Sequence, residues 1–192
     1  YSLCTMRATA GVLVVLFPVS EIVLGILKRA RAGTAFSEDS GSLRLLWLVI
    51  SAGVAAAIFA QNIAVTRMHM APEIRMAVAV ALLVVGLAIR WVAIVTLGRF
   101  FTVNVAVHLD HALVETGLYR HVRHPSYTGL LIAFCGLGMF FGNWLGLVML
   151  LVPIVLALTH RISVEEAALG RALGAEYSNY CARTKRLLPW VY

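Results

Sequence analysis

Five apolar runs, each close to the length a bilayer demands, fill most of the chain and leave it few ways to fold. They cover 8–27, 43–65, 74–97, 126–141 and 144–158. The hydrocarbon core of a membrane is about 30 Å thick, and roughly 20 apolar residues cross it as a helix. Hydrophobic residues make up 61% of the chain and charged residues only 13%. Soluble domains sit near about 45–50% and about 25% respectively, so lipid must be the solvent for much of this surface. The expected fold is therefore all-α and integral to the membrane, with about five transmembrane helices. An N-terminal three-span region, 1–97, precedes a region, 98–192, that holds a cytoplasmic segment, a helical hairpin and an amphipathic tail.

The connections carry their own signals. Gly142 and Asn143 separate the last two runs and predict a tight turn between two antiparallel helices. From His160 onward Ala167, Leu169, Leu173, Tyr177 and Tyr180 recur at helix-like spacing in a polar background. With five spans the two ends of the chain face opposite sides. Of the 16 lysines and arginines, 13 then fall on the side of the C-terminus, and an excess of such residues marks the cytoplasmic side. The net charge of +7 is accounted for by these flanking residues, and no basic face with interleaved aromatics points to nucleic acid. Cys4, Cys135 and Cys181 are too far apart for a disulfide framework or a zinc spacing. His108 with His111, and His121 with His124, are three apart, but zinc takes three or four converging ligands, so no metal site is expected. No signal peptide is expected either, since the run from Ala8 has no small-residue cleavage site before Pro18 and Glu21. The natural start is expected to precede Tyr1.

Chemistry concentrates between Gly117 and Gly129, which read Gly-Leu-Tyr-Arg-His-Val-Arg-His-Pro-Ser-Tyr-Thr-Gly. Pro125 lacks an N–H and suits the first turn of the fourth helix, leaving His124 just outside it. The orphan N–H groups of that turn favour an anionic group, and Arg123, His124, Ser126 and Tyr127 gather beside them. Arg161 and Glu165, four apart, share a helix face on the same side of the membrane. A cationic cofactor calls for a carboxylate such as Glu165, and an anionic substrate for Arg161. Glu21 and Arg90 lie within spans and are functional candidates by default, although Arg90 is near enough to the end of its span to snorkel to the surface.

The stretch from His111 to Gly129 resembles the signature of the isoprenylcysteine carboxyl methyltransferase family. A second block follows at the family's spacing: Arg161, Glu165-Glu166, Gly174 to Tyr177, Tyr180 and Thr184 to Pro189. The paired blocks are more specific than either alone, and the resemblance runs from Leu97 to Tyr192. It implies S-adenosylmethionine as the cofactor, bound by His111, Ala112, Leu113 and Val114, by Tyr119, by His124, Pro125, Ser126 and Tyr127, and by Glu165, with Asn104 matching an amide of the family. It implies that Arg161 faces the substrate. The substrate implied is a lipophilic small molecule or prenylated acceptor, reached within membrane lipid and methylated most simply on the carboxylate of an isoprenylcysteine-like group. Methyl transfer from a sulfonium to a carboxylate needs alignment and exclusion of water rather than a covalent nucleophile. Two other readings remain open at this point. One is a nicotinamide-dependent reductase of a sterol or isoprenoid double bond, whose tail motif is related. The other is a non-catalytic membrane scaffold or transporter, which would usually carry internal repeats; none is seen in the sequence.

Overall fold

The computed structural model describes residues 3–27, 35–39, 41–101, 105–108 and 113–188. Six helices carry the fold: α1 (Leu3–Leu27), α2 (Gly41–Ala60), α3 (Pro72–Leu97), α4 (Pro125–Phe141), α5 (Trp144–Leu173) and α6 (Ala175–Arg183). Two short strands, β1 (Ala35–Asp39) and β2 (Val105–His108), pair antiparallel and tie the α1–α2 connection to the α3–α4 connection. Among the described residues, α2, α3 and α5 are long and apolar enough to cross a membrane. The apolar stretches Val14–Leu24 of α1 and Pro125–Phe141 of α4 are shorter.

Small residues set the tightest crossings. A Cβ on Gly86 would lie 2.5 Å from the Ala133 nitrogen, and one on Gly129 would lie 2.6 Å from the Arg90 nitrogen. Any side chain there would push α3 and α4 apart. Gly136 repeats the fit against Leu83. Gly53 likewise meets Leu150, and Gly146 meets Ala57, where α2 crosses α5. Lipid gives no hydrophobic push between helices, so close backbone contact of this kind supplies much of the attraction. Leu46, Ala57, Leu83, Phe134, Leu150 and Ile154 fill one continuous core drawn from α2, α3, α4 and α5, and Phe17 of α1 joins it edge-on to Phe134 at 5.1 Å.

The hairpin turn lies where Gly142 and Asn143 place it. Gly142 takes φ +71°, and the Asn143 side chain caps α5 by accepting from the Gly146 N–H at 3.1 Å. No break falls at His160: α5 continues unbroken for 30 residues to Leu173, and the chain turns only at Gly174, with φ +54°. A drop in hydropathy need not end a helix's hydrogen bonding. Thirty residues make a helix of about 45 Å, longer than the hydrocarbon core of a bilayer.

Candidate active site

The start of α4 is fixed by the chain's own C-terminal segment. After α6 the backbone returns alongside residues 122–124, and the N–H groups of Arg123 and His124 donate to Lys185 O at 2.8 Å and Arg186 O at 3.0 Å. The Thr128 hydroxyl donates to Leu187 O at 2.6 Å, and the Tyr180 hydroxyl to Tyr119 O at 2.6 Å. Burial pushes the Tyr180 phenol, and that of Tyr119, above the ordinary range, which keeps both neutral. Pro125 occupies the first turn of α4 and His124 stands just outside it, as the Pro125 argument requires.

Two adjacent glutamates on α5 then do different things. Glu166 receives Arg123 at 2.8 Å, Arg186 at 2.9 Å and the His124 Nε2 at 3.3 Å. Its burial alone would raise its carboxyl, but the hydrogen bonds from His124 and Arg123 outweigh that and hold it at about 2. Glu165 is the more open of the two, with 30% of its side chain exposed against 12% for Glu166. It accepts from the Tyr127 hydroxyl at 2.8 Å. That same hydroxyl receives the Arg161 Nε at 2.9 Å, so one phenol joins the guanidinium to the carboxylate. The His124 ring stacks on Tyr127 with centroids 5.6 Å apart, and its Nδ1 lies 3.9 Å from Glu165.

Beside Tyr127 opens a cavity of about 350 Å³ between α1, α2 and α4, within the usual size range of small-ligand sites. Phe17, Leu46, Trp47, Ile50, Phe134 and other apolar side chains line it. Its polar groups are Glu21, Arg90, Tyr127 and Arg161. Arg161 is buried there and also donates to the Ser42 hydroxyl at 3.0 Å. An apolar chamber ending in guanidinium and phenol groups suits a molecule with a greasy body and an anionic head.

The residues expected to act therefore divide. His124, Tyr127, Arg161 and Glu165 come together. Pro125 shapes their helix start. Tyr119 is buried, with its carbonyl tied to α6, while Leu113 and Val114 are half-buried on the approach to it. Ser126 turns the other way and accepts from Arg90 at 2.9 Å. Asn104, His111 and Ala112 lie outside the described residues. Arg123, expected within reach of a ligand, is instead engaged by Glu166, Cys181 O and Thr184. Arg90 does not snorkel. It is buried, with Nε and Nη2 both donating to Glu21, because Glu21 of α1 offers a bidentate partner inside the bundle. Sequence reading missed this pairing, Ser42 and the role of Glu166, since each depends on a contact between residues far apart in the chain.

Comparison with known proteins adds an independent line. Residues 79–171 match the isoprenylcysteine carboxyl methyltransferase (ICMT) family. A probable protein-S-isoprenylcysteine O-methyltransferase of Oryza sativa subsp. indica is 34% identical over 59% of this chain and 61% of its own length. Protein-S-isoprenylcysteine O-methyltransferase A of Arabidopsis thaliana is 35% identical over 57% of each. The enzyme of that name in Schizosaccharomyces pombe is 33% identical over 59% of this chain and 49% of its own length. The chain thus spans roughly half to three-fifths of the curated relatives it matches. Arg90, His124, Tyr127, Arg161 and Glu165 all fall inside the matched region, whereas Glu21 and Ser42 do not. Over residues 79–171 the chain is thus similar to the isoprenylcysteine carboxyl methyltransferase family, and the relatives share about a third of their aligned residues with it.

Proposed function

We propose that this protein transfers the methyl group of S-adenosylmethionine to the carboxylate of an isoprenylcysteine-like lipid within the membrane. The observation that carries the reading is the apolar cavity ending at Arg161 and Tyr127, with Glu165 on the other side of the same phenol. The matched family and the named relatives are methyltransferases, which favours this reading over a reductase or a scaffold. The donor set also fits the cofactor's chemistry. A part-exposed carboxylate beside the stacked His124–Tyr127 pair suits a cationic ligand with aromatic and amino groups. Glu165, His124 and Tyr127 would hold it, supported by Tyr119 and Pro125 and by the segment from His111 to Val114, with Asn104 as a further contact. When bound, the cofactor supplies an electrophilic methyl on a sulfonium.

The chain's own residues do the rest. The acceptor carboxylate is ionised at neutral pH and needs no general base. Arg161 orients it without protonating it, and its planar fork fixes both oxygens. Its Nε bond to Tyr127 and Nη1 bond to Ser42 hold that fork in place. The apolar walls receive the isoprenoid tail and keep water from the reacting oxygen. The proposed topology has five spans, α1 to α5, multi-pass, with the His124 end facing the cytoplasm. The distribution of lysine and arginine supports it.

Detergent-purified protein incubated with methyl-labelled S-adenosylmethionine and an S-isoprenylated cysteine derivative should place label on the lipid as a base-labile ester. The same lipid with its carboxylate blocked as an amide should take none. Absence of label from the free-acid lipid, in protein that is folded, would defeat the proposal.

A further inference from the structure

Two of the four polar groups in the cavity have no part in the chemistry above. Arg90 of α3 directs Nε and Nη2 at the carboxylate of Glu21 of α1, and Nη1 at the Ser126 hydroxyl at 2.9 Å and the Ser126 carbonyl at 3.3 Å. The side chains are 8% and 13% exposed. Both face the same chamber as Arg161 and Tyr127. A guanidinium there cannot shed its proton, and an unpaired one would add a full positive charge to a low-dielectric space. Glu21 cancels that charge. It also leaves a carboxylate in the wall of the chamber that receives an anionic head.

We propose that Glu21 sets the charge of the acceptor, admitting lipid heads with one negative charge and rejecting those with two. The inference rests on the methyl-acceptor reading above and deepens it by naming the class of head group. A single carboxylate beside Arg161 finds a cation. A second negative charge on the same head meets Glu21 and must be desolvated without a new partner. Glu21 lies outside the region matched to the family, 79–171, so head-group selection is contributed by α1. The simpler view holds that the ion pair only ties α1 to α3 and α4. The two views part on one point: a tie would act on every ligand alike, whereas a charge filter acts by head group.

Three ligands with one isoprenoid thioether tail separate them: a carboxylate, its carboxamide, and a phosphonate studied at a pH where it carries two charges. Wild-type protein in detergent should bind the carboxylate at least about tenfold more tightly than the phosphonate, the scale expected for like charges a few ångströms apart in a partly buried site. Glu21→Gln should tighten the phosphonate about tenfold or more, the carboxylate less, and the carboxamide not at all. The double variant Glu21→Gln/Arg90→Gln, which lacks both the carboxylate and its counter-charge, should discriminate between carboxylate and phosphonate less than wild type does. Wild type binding phosphonate as tightly as carboxylate overturns the inference, and so does a Glu21→Gln variant that shifts all three ligands by one factor. If Glu21→Gln does not fold, the wild-type ranking and the double variant decide the matter. Wild type binding none of the three removes the acceptor reading itself, and this inference with it.

Discussion

The two ends of the helix bundle use polar side chains in opposite ways. At the Gly142 end they satisfy backbone. Arg75 donates to Met139 O at 3.0 Å and Phe140 O at 2.9 Å, closing the last turn of α4. Asn143 donates to Ala60 O at 2.8 Å and Ile63 O at 3.2 Å while accepting from the Gly146 N–H and the Thr66 hydroxyl. At the His124 end, side chains bond mainly to one another: Arg161 to Tyr127, Tyr127 to Glu165, Arg90 to Glu21. Backbone groups offer the same partners whatever ligand is present, so the first end is architecture. Side chains linked to side chains can exchange partners with a ligand, and they border the cavity. The difference teaches where to expect loss of fold and where loss of function.

Asn143→Ala should break the comparison hardest on the structural side. The side chain is fully buried, and its loss strands the Gly146 N–H and takes one donor each from the Ala60 and Ile63 carbonyls at the joint of α2 and α5. The expected cost is about 2–4 kcal/mol of stability, read as a lower melting temperature in detergent, with the affinity of folded protein for S-adenosylmethionine unchanged. A loss of affinity at full stability would erase the distinction between the ends.

Within the His124 end the adjacent glutamates sharpen it. Glu165→Gln should weaken S-adenosylmethionine binding by about 1.5–3 kcal/mol, the range for a charged hydrogen bond, and leave the melting temperature nearly as it was. Glu166→Gln should do the reverse, because Glu166 answers to Arg123, Arg186 and His124 rather than to a ligand. Calorimetry and thermal unfolding on the two variants check both halves.

A smaller effect follows from acid. The Glu166 carboxyl titrates at about 2 in the fold against an ordinary value of 4.5. Its folded value is depressed, so the stabilisation it gives is present above pH 4.5 and fades as pH falls toward 2. Wild-type protein should therefore lose more melting temperature than Glu166→Gln between pH about 5 and 3. Equal losses would mean that the groups hydrogen-bonded to Glu166 do not favour its ionised form.

Much of this was legible in the residues where the cause is local. Pro125 placed the start of α4 and put His124 outside it; Gly142 and Asn143 placed the hairpin; the four-residue spacing of Arg161 and Glu165 put both on one face. What escaped was long-range. Glu21 and Arg90 are 69 positions apart, and nothing in hydropathy pairs them; Arg90 near the end of an apolar run reads equally well as a snorkelling residue. The strand pair Ala35–Asp39 and Val105–His108 joins two connections across the chain, and neither segment has a strand pattern strong enough to stand alone. The spacing that put Glu165 with Arg161 gave Glu166 no partner, because only the C-terminal segment, 20 residues on, brings Arg186 to it.

The most direct test of the account concerns Arg161, the residue that joins the cavity to the phenol and the open carboxylate. Rates of methyl transfer to an isoprenylated carboxylate lipid should be measured for wild type, Arg161→Ala and Arg161→Lys, alongside their affinities for S-adenosylmethionine. The account predicts that both variants bind the cofactor within about threefold of wild type and lose transfer by about a hundredfold, roughly 2.7 kcal/mol. Lysine should rescue little, since a point charge cannot hold two oxygens in a plane. Full activity in Arg161→Lys would contradict the account, leaving Arg161 as no more than a charge at the end of a span.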